Sequence, residues 1–120
     1  MTRILVIEDD ENTRDVLRQM LNRSGYEVVE ARDGKEGLKL YRMEPADLVI
    51  TDILMPEKEG IQTIMELRRE FPWVKIIAIS GGGVVGPETY LTMARELGAD
   101  RTLSKPFTLT ALVALVKELL

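Results

Sequence analysis

The strongest constraint on the fold is that the apolar runs are continuous instead of alternating. Ile4-Leu5-Val6-Ile7 and Leu48-Val49-Ile50-Thr51 are mostly β-branched at successive positions. Successive side chains of a strand point to opposite faces, so such runs are apolar on both faces and need cover on both. Val74 to Ile79 has the same character. Val28-Val29 within Tyr26 to Ala31, and Leu103, mark two further strands.

Between these runs the apolar spacing becomes helical. Val16, Leu17, Met20 and Leu21 make one stripe, with Arg14, Arg18 and Arg23 outside it and Gly25 at the helix stop. Asp33-Gly34 is a turn, and Asp33 is placed to cap a helix reaching Met43. A third helix carries Ile61, Ile64, Met65 and Leu67 and ends before Pro72. Gly86-Pro87-Glu88 opens a fourth, closed by Gly98, with proline where its missing N–H is harmless. Pro106 opens the last, predicted over Phe107 to Leu119. The order is β-α repeated, which predicts an α/β doubly wound fold: a five-stranded parallel sheet with helices on both faces and right-handed crossovers. The 120 residues suit one domain. The expectation is a single domain over residues 1–120, with no output domain in the chain.

Several chemistries are excluded by absent residue types. Without cysteine there are no disulfides, thiolate metal sites or thiol nucleophiles. Without histidine there is no Ser-His-Asp chemistry and no imidazole zinc site. A net charge of −4 disfavours direct binding to nucleic acid or to an anionic membrane. No signal peptide or spanning segment is legible, so the expected setting is cytoplasmic.

In open parallel sheets, sites form beyond the carboxyl ends of the strands. Glu8, Asp9 and Asp10 follow the first strand, and Asp52 ends the third. Ser80 follows the fourth, and Ser104-Lys105-Pro106 follow the fifth. Gathered at one edge, Glu8, Asp9 and Asp52 would repel and raise one another's pKa. A hard divalent cation, Mg²⁺ or Mn²⁺, offsets that repulsion through oxygen ligands. Asp52 can then stay ionised as a nucleophile toward a phosphoryl group, with Lys105 balancing charge and Ser80 donating a hydrogen bond. Asp10 and Glu11 read more simply as acids complementing a helix N-terminus.

The chain resembles a response-regulator receiver domain (the CheY-like family) over its whole length. The resemblance rests on Ile7-Glu8-Asp9-Asp10, on Asp52-Ile53-Leu54-Met55-Pro56 with Gly60, on Ile79-Ser80-Gly81, and on Gly98-Ala99-Asp100 with Lys105-Pro106-Phe107. It implies a flavodoxin-like (βα)5 fold with strand order 2-1-3-4-5. By the same resemblance, Asp52 is the phosphoacceptor and Asp9 binds Mg²⁺ directly. Glu8 holds metal-bound water, and the Leu54 backbone carbonyl completes the metal shell. Ser80 is the switch hydroxyl, Lys105 the phosphoryl-contacting lysine and Pro106 its cis-proline partner. The implied donor is a sensor histidine kinase or phosphotransfer protein. The implied output is a downstream protein, of identity unknown, contacted through the face of the fourth helix, fifth strand and fifth helix.

Some positions depart from the family pattern. Thr102 stands where a switch aromatic is usual, which leaves open a phosphorylation-independent interaction scaffold. Movement of a loop centred on Ser80, with Gly81-Gly82-Gly83 as its flexible part, is the expected substitute. Leu54 has no polar group to orient water, so slow self-dephosphorylation is expected. A flavodoxin-like FMN binder shares the fold, but the clustered carboxylates would repel an FMN phosphate. On the last helix Leu109, Leu112, Val113, Val116 and Leu120 are predicted to face the core. Ala111 and Leu115 then lie outward and, with Tyr90, make a candidate face for a partner or a second copy of the chain. Trp73 is expected to pack at the opposite end of the sheet.

Overall fold

Each continuous apolar run becomes a strand of one parallel sheet in the computed structural model, which describes residues 1–53, 59–80, 92, 95, 96 and 98–120. The strands are β1 (Arg3–Ile7), β2 (Glu27–Ala31), β3 (Leu48–Asp52), β4 (Ile76–Ser80) and β5 (Arg101–Ser104). The helices described are α1 (Glu11–Arg23), α2 (Gly34–Met43), α3 (Glu59–Glu70) and a last helix, Leu109–Leu119. The sheet order is β2-β1-β3-β4-β5, all pairs parallel. This is the expected flavodoxin-like order.

Side-chain alternation divides the core between the two faces. Leu5, Ile7, Val49, Ile76 and Ala78 pack on one face with Leu38 and Tyr41 of α2 and Ile64 and Leu67 of α3. Ile4, Val6, Leu48, Ile50, Ile77 and Ile79 pack on the other with Leu17 and Leu21 of α1 and Leu112 and Val116 of the last helix. Burying an aliphatic side chain of this size stabilises by roughly 1.5–3 kcal/mol, so these two layers dominate the stability of the fold. The starts of α1, α2 and the last helix are capped, and of these caps Asp33 is the one the sequence predicts. Asp10 accepts from Thr13 N, Asp33 from Glu36 N and Thr108 from Ala111 N.

Several expected boundaries and faces are corrected. β2 begins at Glu27, because the Tyr26 N–H closes the end of α1 by donating to the Leu21 carbonyl. β4 spans Ile76–Ser80 instead of Val74 to Ile79. Val74 is buried, but its N–H donates to the Phe71 carbonyl in a turn, so it is core without being strand. The last helix starts at Leu109, because Thr108 is its cap. Its apolar face is rotated: Leu115 and Leu119 pack against the core, whereas Leu109 and Leu120 are 38% and 45% exposed. Trp73 is 70% exposed and touches the protein edge-on at Phe71. Val16 and Met65 are likewise more exposed than their stripes predict. Of the expected fourth helix, Thr92, Arg95 and Glu96 are described and helical. Tyr90, Gly81-Gly82-Gly83 and Leu54-Met55-Pro56 lie outside the described residues. Among the described residues, no helix is long and apolar enough to cross a membrane.

Candidate functional site

Parallel pairing brings the carboxyl ends of four strands to one edge. The ladder continues one residue past the strands: Glu8 N donates to Ala31 O at 3.0 Å, Ile53 N to Ile79 O at 3.0 Å and Lys105 N to Ser80 O at 2.8 Å. These bonds set the backbone positions of Glu8, Asp52, Ser80 and Lys105 before any side chain is considered. Gly60, near the start of α3, lets that helix approach closely. A Cβ there would collide with the Asp52 carbonyl and lie 2.5 Å from Ile53 Cα. Only glycine fits beside the end of β3 without displacing it.

The side chains converge. Glu8, Asp9 and Asp52 each offer a carboxylate oxygen within 4.8 Å of the others. Glu8 and Asp52 are buried, 2% and 5% exposed, while Asp9 is exposed. Lys105 Nζ reaches across from the end of β5, 2.6 Å from Asp52 Oδ2 and 3.0 Å from Glu8 Oε1. The second oxygen, Glu8 Oε2, accepts the Asp10 N–H at 3.2 Å. Asp10 itself is turned to Thr13 as the α1 cap, in keeping with its reading as a helix-start acid. Ser80 is fully buried, and its Oγ has no hydrogen-bond partner among the described residues.

Electrostatics follow from this crowding. Burial, then the charge and hydrogen bond of Asp52, push the Glu8 carboxyl up to about 7, against partial relief from Lys105. Burial alone would lower the Lys105 ammonium, but its hydrogen bonds to Asp52 and Glu8 outweigh this and raise it. Asp10 is held below the usual carboxylate range by its hydrogen bonds from Thr13. The donor set at this edge is all oxygen and carries more negative charge than one lysine balances. Such a set fits a hard divalent cation. The buried Ser80 hydroxyl, without a partner among the described residues, is a further polar group at the end of β4.

The remaining predicted positions are spread more widely. The Lys105–Pro106 peptide bond is cis. Thr102 is half-buried on β5, in register with Ala78 of β4. Ala111 and Leu115 are half-buried on the last helix. The Leu54 carbonyl, Gly82 and Tyr90 fall outside the described residues. One contact had no legible signal in the sequence. Arg14 Nη1 donates to the Glu8 carbonyl at 2.9 Å, although helical spacing marks Arg14 only as outside the apolar stripe.

An acidic pair after β1, an aspartate closing β3, a hydroxyl closing β4 and a lysine after β5 lie at the carboxyl edge of one flavodoxin-like sheet. Residues 4–117 match the family model described as the response regulator receiver domain, and the chain belongs to that family. It is 38% identical over 98% of its length to "Probable transcriptional regulator ycf27" of Cyanophora paradoxa, covering 48% of that protein. It is 35% identical over 98% of its length to "Alkaline phosphatase synthesis transcriptional regulatory protein PhoP" of Bacillus subtilis, again covering 48%. The chain thus spans about half the length of the curated relatives it matches. Among solved structures, response regulator protein TrrA from Thermotoga maritima, in complex with Mg²⁺-BeF, superposes with a TM-score of 0.88 at 34% identity, with 100% of both chains covered. A response regulator receiver domain protein from Clostridium thermocellum gives 0.89 at 28% identity, covering 99% of this chain and 94% of that one. The chain is therefore a receiver domain of the two-component response regulators, a signalling domain.

Proposed function

We propose that this receiver takes a phosphoryl group on Asp52 and passes the change to a partner protein. One observation carries the reading. Asp52 is buried at the end of β3, with Glu8 and Asp9 converging on it and Lys105 Nζ at 2.6 Å. Mg²⁺, or Mn²⁺, would be held by Asp9, Asp52, the Leu54 carbonyl and, through water, Glu8. Bound there, the ion supplies charge neutralisation between the entering phosphoryl oxygens and the carboxylates.

A carboxylate oxygen of Asp52 attacks phosphorus, and the bond from phosphorus to the donor breaks. With a phosphohistidine of a sensor histidine kinase or phosphotransfer protein, the P–N bond electrons leave on the imidazole nitrogen, which is then protonated. Lys105 transfers its hydrogen bond from Asp52 to a new phosphoryl oxygen. The Ser80 hydroxyl donates to another, which gives its buried Oγ a partner. The chain assists its own phosphorylation and dephosphorylation and turns over no other substrate. Its output is proposed to be a downstream protein, or a second copy, at the face of β5, the last helix and the helix before β5. Ala111 and Tyr90 are the candidate contacts; Leu115, packed against the core, is not among them.

Thr102 favours a second reading, a scaffold that works without phosphorylation, because a half-buried threonine has no ring to swing between states. Intact mass after incubation with acetyl phosphate separates the two. The acceptor reading expects one phosphoryl adduct, requiring Mg²⁺ and lost in Asp52→Asn. No adduct, together with no Mg²⁺ binding, supports the scaffold.

A further inference from the structure

The Glu8 backbone is held on both sides. Its N–H donates to Ala31 O of β2 at 3.0 Å, and its carbonyl accepts from Arg14 Nη1 at 2.9 Å. Arg14 lies near the start of α1, with its Nε 3.4 Å from Glu30 Oε1 on β2 and its side chain only 14% exposed. The guanidinium therefore ties the turn after β1 to the neighbouring strand.

The carbonyl that Arg14 grips belongs to the peptide joining Glu8 to Asp9. A peptide unit is planar, so fixing its C=O fixes the plane from which both carboxylates depart. The following residue, Asp10, is fixed too, as the α1 cap. Asp9 is exposed, so its direction depends on the two residues flanking it. A charged, planar fork is suited to holding a carbonyl in one direction.

We infer that Arg14 is a positioning residue for the divalent cation. It sets the Glu8–Asp9 peptide plane and thereby the angle at which these carboxylates meet Asp52. This rests on the acceptor reading above. Contacts that orient ligands without touching the ion typically change metal affinity by about 10–100-fold when removed. The competing account is a plain structural tie between α1 and β2, which would affect melting and leave cation affinity unchanged.

The test is calorimetric titration of the purified chain with Mg²⁺, alongside thermal melting, for the parent, Arg14→Ala, Arg14→Lys and Arg18→Ala. Arg18 sits one turn further along α1, paired with Asp15 at 2.8 Å, and its replacement changes net charge by the same amount. Expected are Mg²⁺ binding about tenfold weaker in Arg14→Ala, partial recovery in Arg14→Lys and parent affinity in Arg18→Ala. Parent affinity in a folded Arg14→Ala, or an equal loss in Arg18→Ala, overturns the inference. Should Arg14→Ala fail to fold, Arg14→Lys decides alone: severalfold weaker binding supports the assignment and parent affinity overturns it. A parent chain that binds no Mg²⁺ overturns the acceptor reading, and this inference with it.

Discussion

Lys105 Nζ lies 2.6 Å from Asp52 Oδ2 and 3.0 Å from Glu8 Oε1, joining residues 53 and 97 positions apart in the chain. One cation thus serves two buried carboxylates, and it does so from a segment that pairs with β4 through the Lys105 N–H. The lysine is positioned by backbone before its charge is used.

Lys105→Ala should therefore destabilise the metal-free chain at neutral pH, by about 1–3 kcal/mol, the usual cost of leaving a buried charged acceptor without its donor. The loss should shrink as pH falls through about 7, where Glu8 takes up its proton and needs less from the lysine. Urea unfolding in the presence of a chelator at pH 7.5 and pH 4.5 measures both. An equal loss at the two pH values would argue against this role.

Glu8 holds its proton to about 7 in the fold, against an ordinary 4.5. Between those values the folded chain binds more protons than the unfolded one, so the Glu8 contribution to stability falls as pH rises. It is fully present below about 4.5 and lost on passing about 7. In chelator, the urea midpoint should decline over that window, and Glu8→Gln should flatten the decline. Mg²⁺ affinity should rise over the same window, as the proton and the cation compete for one cluster of oxygens. A midpoint that climbs from pH 5 to pH 8 in the parent and not in Glu8→Gln reverses the sign and sinks the assignment.

Gly60→Ala forces a methyl group against the Asp52 carbonyl and Ile53 Cα, which are backbone and cannot rotate away. The expected cost is about 1–3 kcal/mol, with slower labelling by acetyl phosphate because the end of β3 must shift. Melting temperature and adduct rate should fall together. A variant that melts like the parent and labels at the parent rate would show that α3 yields instead.

At the opposite end of the sheet, Asp100 Oδ2 accepts from Ile76 N at 2.8 Å and from Arg68 Nη2 at 2.9 Å. Arg68 also donates to the carbonyls of Gly98 and Pro72. This network joins α3, the start of β4 and the approach to β5, far from the carboxylates. Asp100→Ala should lower stability by about 1–3 kcal/mol and leave the rate of Asp52 labelling near that of the parent. Denaturation midpoints and adduct kinetics distinguish this from a role at the site, which would slow labelling.

β1, β3 and β4 were readable because both their faces are covered, which leaves apolar runs of strand length, whereas the edge strands β2 and β5 carry only Val28-Val29 and Leu103 as signals. Glu8 and Asp52 were readable for a related reason: each directly follows such a run, whereas Lys105 follows only the short β5. Element ends were less so. Val74 is as apolar and as buried as a strand residue, yet its N–H is taken by a turn, and hydrogen-bond partners leave no trace in hydropathy. The last helix shows the same limit. Its apolar residues almost encircle it, so periodicity could not decide that Leu115 and Leu119 face inward while Leu109 faces out.

From the sequence alone come the alternation of strands and helices, the family resemblance and the chemical types delivered to the sheet edge. These depend on local periodicity and on residue identity, both written along the chain. The tertiary structure decided which groups share charge. It put Lys105 between Asp52 and Glu8, aimed Arg14 at the peptide joining Glu8 to Asp9, and packed Gly60 against the end of β3. Those relationships depend on distances of a few ångströms that hydropathy does not encode, and the lysine contacts join residues 53 and 97 positions apart. Only the closing of the sheet sets such distances, because hydrogen bonds and carboxylate repulsion fall away steeply with separation.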